Sequence, residues 1–313
     1  MPAGITIAID AMSGDDGLDI VVPAALAYLQ KKSQVSLLSS DNAAEANKTF
    51  NIILVGDQNK LEVLLLGQNN SDSSSNTSPL LELPSNLSIV HADSVVEMDD
   101  RPSLVLRQKR DCSMAVAVQL VKCGNADACG SAGNTGALMI LGRAILGTYP
   151  GIDRPAITKM FPSQGGGTFV LDLGANVDSS AEHLLQFAIM GQLLAKIIKG
   201  IETPKVALLN VGGESIKGNE QVRLAASLIE ESELVNYVGF AEGGDIFRSK
   251  ADVIVCDGFV GNVALKSAEG AAQILLKEIK DFFKATWYRK LIGFLLLPLL
   301  KKHLKQLEHD KHN

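Results

Sequence analysis

Five times along this chain an aliphatic run stops at a turn of Asp, Asn, Gly, Ser or Lys, and a helical stretch follows most of those turns. Ile5 to Ile9 runs into Asp10-Ala11-Met12-Ser13-Gly14-Asp15, and Ala126 to Gly130 runs into Ser131-Ala132-Gly133-Asn134-Thr135-Gly136. A strand from Thr168 ends in Gly174-Ala175-Asn176-Val177-Asp178. Val206 to Val211 ends in Gly212-Gly213-Glu214, with Lys217, Gly218 and Asn219 beyond. Ala251 to Val255 ends in Cys256-Asp257-Gly258, with Asn262 and Lys266 in the helix that follows. Apolar runs without alternation belong to strands buried on both faces, as in parallel sheets. Strands alternating with helices predict an α/β fold with a mostly parallel sheet. In one parallel sheet these ends share an edge, where open α/β sheets place ligands. The expectation is that Asp10, Asn134, Asn176, Lys217 and Asn262 converge.

The turn from Ser131 to Gly136 has two readings. Asn134 and Thr135 are both N-cap types, so an ordinary helix cap is one. A helix start also offers unpaired N–H groups and a positive dipole end, so an anion nest is the other. Four further polar strand ends in register favour the site reading. The loop after Asp10 is either a solvated turn with capping aspartates or a ligand loop. Its carboxylates have no second ligand cluster beside them, so no metal is expected. Arg107, Lys109 and Arg110 form either a solvated helix end or a docking face for an acidic partner. The glycines at 165–167 suit a hairpin, since no helix follows them.

Composition narrows the chemistry. A net charge of −6 argues against nucleic acid as partner. Cys112, Cys123, Cys129 and Cys256 lack paired spacing and read as reduced thiols of a cytosolic protein. The N-terminus lacks the pattern of a secretory signal. No apolar run reaches the ~18–20 residues that span a bilayer. Only His91 and His183 lie in the body, too few for a histidine triad or metal site. The dinucleotide fingerprint, the phosphate-binding P-loop, the nucleophile elbow and zinc motifs are missing. What is left is amides, hydroxyls, a few lysines and backbone N–H groups. These polarise carbonyls and anions, which suits a reaction whose nucleophile comes from a substrate.

The ordered motifs resemble one family, the bacterial phosphate acyltransferases (acyl-carrier-protein:phosphate transacylases, the PlsX family). The resemblance rests on the segments Ile7 to Asp15, Ser131 to Met139, Leu171 to Asp178, Leu208 to Glu220 and Cys256 to Lys266. It implies an α/β/α sandwich like those of isopropylmalate dehydrogenases and phosphotransacetylases, working as a homodimer without a cofactor. It implies that inorganic phosphate attacks the thioester of fatty acyl-carrier protein. The acyl phosphate formed would feed a membrane glycerol-3-phosphate acyltransferase in phospholipid synthesis. On this reading Asp10, Asn134, Lys217, Asp257 and Asn262 are the catalytic candidates. Gly14, Asp15, Ser131, Gly133, Thr135, Gly136, Asn176, Asp178, Asn219 and Lys266 would bind substrate. Arg107, Lys109 and Arg110 would dock the acidic carrier protein.

The chain departs from the family pattern in Met12-Ser13-Gly14-Asp15 and Cys112-Ser113, and members usually continue further at the C-terminus. That last departure motivates an alternative, a non-catalytic binder of acyl-carrier protein or lipid. An NAD-linked dehydrogenase on a related fold is the third reading, disfavoured by the missing fingerprint. The expected organisation is a catalytic domain over 1–280 with a mobile polar insertion at 67–79, then a basic amphipathic tail over 281–313. In that tail Trp287, Leu291, Phe294, Leu295, Lys301 and Lys302 suit a peripheral membrane contact, and a dimer helix is the competing reading.

Overall fold

The computed structural model describes residues 4–38, 50–69, 84–214 and 216–290, together with 292, 294 and 296. The chain divides into two compact units, Met1–Tyr149 and Pro150–Asn313.

The first unit holds β1 (Ile5–Asp10), β2 (Phe50–Gly56), β3 (Leu87–His91) and β4 (Ala128–Ser131) in a parallel sheet of order β3-β2-β1-β4. Neighbouring residues of a strand point to opposite faces. Ile52 and Leu54 accordingly pack with Ala25 and Leu29 of α1 (Leu18–Leu38) and Leu61 and Leu65 of α2 (Gln58–Asn69). Ile53, Val55 and Ala8 turn the other way, toward Ala117 of α4 (Ser113–Lys122). Helices on both faces make this an α/β/α layering, and they explain why the central strands read as unbroken apolar runs. Val105 of α3 (Pro102–Gln108), Met114 and Leu141 of α5 (Thr135–Leu146) form a separate cluster. The strand order reverses between β1 and β4, the kind of switch point at which α/β sheets open a ligand crevice.

The second unit repeats the layering. Its sheet has the order β5-β6-β9-β7-β8, from β5 (Thr158–Phe161), β6 (Thr168–Leu171), β7 (Val206–Leu209), β8 (Tyr237–Ala241) and β9 (Val253–Val255). Phe169, Leu171, Val253 and Val255 face α6 (Ala181–Lys199) and α7 (Glu220–Ser232). Val170, Ala207 and Ile254 face Ile246 of a short 3-10 turn and Leu265 of α8 (Gly258–Lys284). Ser180 and His183 close a capping box at the start of α6, and Gly200 ends it in the left-handed region.

Three sequence expectations change here. The strands do not share one sheet: β5 pairs antiparallel with β6 through the glycine hairpin and begins a second sheet. Asp10 and Asn134 therefore lie at the edge of the first sheet, and Asn176, Lys217 and Asn262 at that of the second. β4 is not a buried strand; it is an edge strand, exposed or half-buried along its length. Residues 67–69 of the expected polar insertion continue α2, and 70–79 lie outside the described residues. In the tail, Trp287 and Phe294 are exposed, whereas Leu291, Leu295, Lys301 and Lys302 lie outside the described residues. Among the described residues no helix is long and apolar enough to cross a membrane.

Candidate active site

In the first unit the polar groups gather where β1 and β4 end. Asp10 and Ser131 are register partners across the ladder. Asp10 is fully buried, and Ser131 Oγ donates to its Oδ2 at 2.6 Å. Asp10 Oδ1 accepts the backbone N–H groups of Met12 at 3.2 Å and Ser13 at 3.3 Å. The same Ser131 Oγ accepts the N–H of Gly133 at 3.1 Å. One carboxylate thus ties the β1 loop to the turn that opens α5. The two loops touch so closely that a Cβ on Gly133 would stand 2.5 Å from the Cβ of Ser13. Gly14, with φ of +101°, lies against the backbone of Ala132. Gly136 backs onto Pro102, and Thr135 opens α5. Asp15 is exposed beside them.

Asn134 sits at the N-cap of α5, and its amide is already committed. Its Oδ1 accepts the N–H of Ala137 at 3.0 Å, while Nδ2 donates to the carbonyls of Met98 and Asp100, each at 3.0 Å. Both donor hydrogens are used, so this side chain clamps the turn to the segment before α3. Asn134→Ala is expected to lower stability by about 1–2 kcal/mol, from the lost cap and the two stranded carbonyls. Urea unfolding checks this; a loss below about 0.5 kcal/mol would mean that the clamp contributes nothing beyond a surface contact.

In the second unit the organising group is Asp172, which sequence reasoning passed over as part of a strand. It is fully buried. Its Oδ1 accepts the N–H groups of Ile157 at 2.9 Å, Gly174 at 3.2 Å and Ala175 at 3.0 Å. Its Oδ2 accepts the backbone N–H of Asn176 at 2.7 Å and the Asn176 amide at 2.9 Å. An acidic residue inside an aliphatic run was the available signal, because carboxylates are rarely buried unless paired. The second amide hydrogen of Asn176 goes to the Pro155 carbonyl at 2.9 Å, so Asn176 also serves the turn. Its own carbonyl accepts the N–H of Gly258 at 2.9 Å, which seats the start of α8 on this turn. Gly261 lies against the carbonyl of Asp172 with no room for a Cβ.

The remaining candidates of this unit surround the ends of β7 and β9. Asp257 caps α8 through Val260 N–H at 3.0 Å, and Asn219 caps α7 through Val222 N–H at 2.8 Å. Asn262 is exposed in the first turns of α8, near Gly174, and its amide has no partner among the described residues. Asp178 is exposed. Lys217 is paired with Glu214 at 2.8 Å and Lys266 with Glu269 at 3.1 Å, all at the surface. The Glu214 carboxylate raises the Lys217 pKa, so this lysine is a standing cation and not a base. Burial pushes the thiols of Cys112, Cys129 and Cys256 upward, which removes them as thiolate nucleophiles near neutral pH.

The basic cluster does not act as one group. Lys109 donates to the Val95 carbonyl at 2.8 Å and pairs with Asp100, whose pKa it lowers. It is a strut for the 95–100 segment. Arg107 and Arg110 stay exposed, Arg110 donating to the Leu106 carbonyl at 3.0 Å.

Comparison with known proteins bears on what these two edges do. The chain matches the model of the family described as "Fatty acid synthesis protein" over residues 5–313. It is 47% identical to the phosphate acyltransferase of Marinobacter nauticus over 99% of this chain and 82% of that protein. It is 46% identical to the phosphate acyltransferase of Legionella pneumophila, over 99% of this chain and 83% of that protein. In fold it resembles a phosphotransacetylase from Streptococcus pyogenes, with a TM-score of 0.58, 18% identity, and coverage of 87% of this chain and 83% of that one. Each sheet edge holds helix starts, amides and hydroxyls, groups able to bind anions and polarise carbonyls. The chain belongs to the fatty acid synthesis protein family and is an acyltransferase of the phosphate acyltransferase kind.

Proposed function

We propose that this enzyme transfers a fatty acyl group from acyl-carrier protein to inorganic phosphate, supplying acyl phosphate for phospholipid synthesis. A phosphate oxygen attacks the thioester carbonyl carbon; the C–O bond forms, the C–S bond breaks, and the thiolate leaves to be protonated as the carrier's thiol. The observation that carries the reading is the Asp10–Ser131 pair at the switch point of the first sheet. It fixes the β4–α5 turn, with the Gly133 N–H tied to Ser131 Oγ, so that Thr135 and Gly136 present backbone N–H groups at a helix start, a suitable cradle for phosphate. Asp10 is then a positioning residue, since its oxygens are filled by the chain. Within the second unit Asn262, whose amide has no partner among the described residues, is freer to donate to a substrate oxygen than Asn176, whose amide hydrogens are both used. Lys217 and Lys266 would neutralise substrate charge.

Arg107 and Arg110 are the proposed docking cations for the acidic carrier protein; Lys109 is spent internally. A homodimer and a peripheral membrane contact belong to the same reading. They are supported by large apolar side chains exposed along α8 and after it, Ile274, Leu275, Phe282 and Trp287 among them. Such a contact would hand a greasy acyl phosphate to a membrane glycerol-3-phosphate acyltransferase.

The test is direct. Purified protein is incubated with palmitoyl-carrier protein and phosphate; free thiol is followed, and acyl phosphate is trapped with hydroxylamine. Thiol and hydroxamate should appear in equal amounts and depend on phosphate. Thiol release that is no faster than with heat-killed protein would overturn the proposal.

A further inference from the structure

We infer that the hollow at the carboxyl ends of β7 and β9 is an acyl-chain site, taking an aliphatic chain carried as a thioester. The inference rests on the acyl-transfer reading above. The cavity measures about 410 Å³. Leu184 and Val255 line it from the main core of the second unit, and Val222 of α7 lines it too. Val260, Val263 and Ala264 of α8 complete the wall. Their i, i+3, i+4 spacing puts these three on one helix face.

Each amide or carboxylate side chain that lines it makes at least one hydrogen bond inside the protein. Asn210 accepts from Val211 N–H at 2.9 Å and donates to the Lys217 carbonyl at 3.1 Å. Asn219 and Asp257 accept the N–H groups of Val222 and Val260, as N-caps. What is left facing a ligand is mostly methyl groups. Among the described residues no lysine or arginine lines the cavity, and the charged side chain that does is Asp257. Phosphate and nucleotides are therefore poor occupants, because nothing there offsets their charge. An aliphatic chain meets no such penalty. At roughly 30 Å³ for a water-sized group, the hollow has room for on the order of ten methylenes. Each methylene withdrawn from water is worth about four-fold in affinity.

The test fills the hollow. Val263→Trp places an indole between α7 and α8, and Val222→Phe does so from the opposite wall should the first variant fail to fold. For each, kcat/KM is measured with octanoyl- and palmitoyl-carrier protein. The palmitoyl-to-octanoyl ratio should fall at least ten-fold in either variant. An unchanged ratio, or an equal loss at both chain lengths in a variant with parental circular dichroism, overturns the inference. A separate readout is cis-parinarate fluorescence on the parent protein, displaced by palmitate and weakened by Val263→Trp. If the parent turns over no acyl-carrier protein but binds the probe in this way, the transfer reading fails and the cavity assignment stands. If the parent transfers acyl groups while the probe binds parent and variant alike, the cavity assignment fails alone.

Discussion

Asp172→Ala is expected to lower stability by about 3 kcal/mol or more, from five donors, two buried and three part-buried, left without their acceptor. The loss does not stay at one residue. Asp172 holds residues 174–176 and the N–H of Ile157, and the Asn176 carbonyl in turn holds Gly258 at the start of α8. Asp257 and Asn262 ride on that helix start, so activity should fall with the fold. Asp172→Asn keeps the shape but replaces one acceptor oxygen by an NH₂ that faces other N–H donors, so it should rescue only part. Urea unfolding of parent and both variants checks this, with circular dichroism and acyl transfer measured below the transition. If Asp172→Ala unfolds within about 1 kcal/mol of the parent, the turn does not depend on this carboxylate.

The second large effect is on rate. Asp10→Ala should reduce kcat/KM at least ~100-fold, because misplacing a substrate-holding turn by about an ångström costs that much. Three donors lose their acceptor: Ser131 Oγ and the N–H groups of Met12 and Ser13. With Ser131 free to turn, the Gly133 N–H loses its anchor as well. Asp10→Asn can still accept the two N–H bonds and meet Ser131 if its hydroxyl rotates, so it should recover a large part of the rate. A proton-transferring Asp10 would behave differently: asparagine would be as damaging as alanine, and the acid limb of the pH–rate profile would vanish in both. Measuring kcat, the KM for phosphate and the pH profile of the pair decides between positioning and acid–base work.

The residues that made these elements legible are the ones whose role is local. Asn134, Asn219 and Asp257 are N-cap types followed by helix formers, and each does cap a helix. The aliphatic runs at Ile5 and Val206 became inner strands of their sheets, where helices on both faces leave an unalternating pattern. The glycines at 165–167 became a hairpin turn. β8 escaped notice because Gly239 breaks its apolar run, taking φ of +89° in mid-strand. The ordered polar motifs also identified the family before any coordinates.

What the sequence could not carry is how polar groups are spent. An asparagine at a strand end reads the same whether its amide has no partner among the described residues, as in Asn262, or is consumed, as in Asn134 and Asn176. Lys109 reads as a surface cation until Asp100 and the Val95 carbonyl are found at its ammonium. Local sequence therefore determined the strands, helices, caps and family, because those depend on burial periodicity and on neighbours a few residues away. Only the tertiary structure decided that the strands form two sheets, that Asp10 meets Ser131 and that Asp172 gathers five donors. Each of those depends on partners distant along the chain, and hydrogen bonds are satisfied by whichever group folding brings within 3 Å or so.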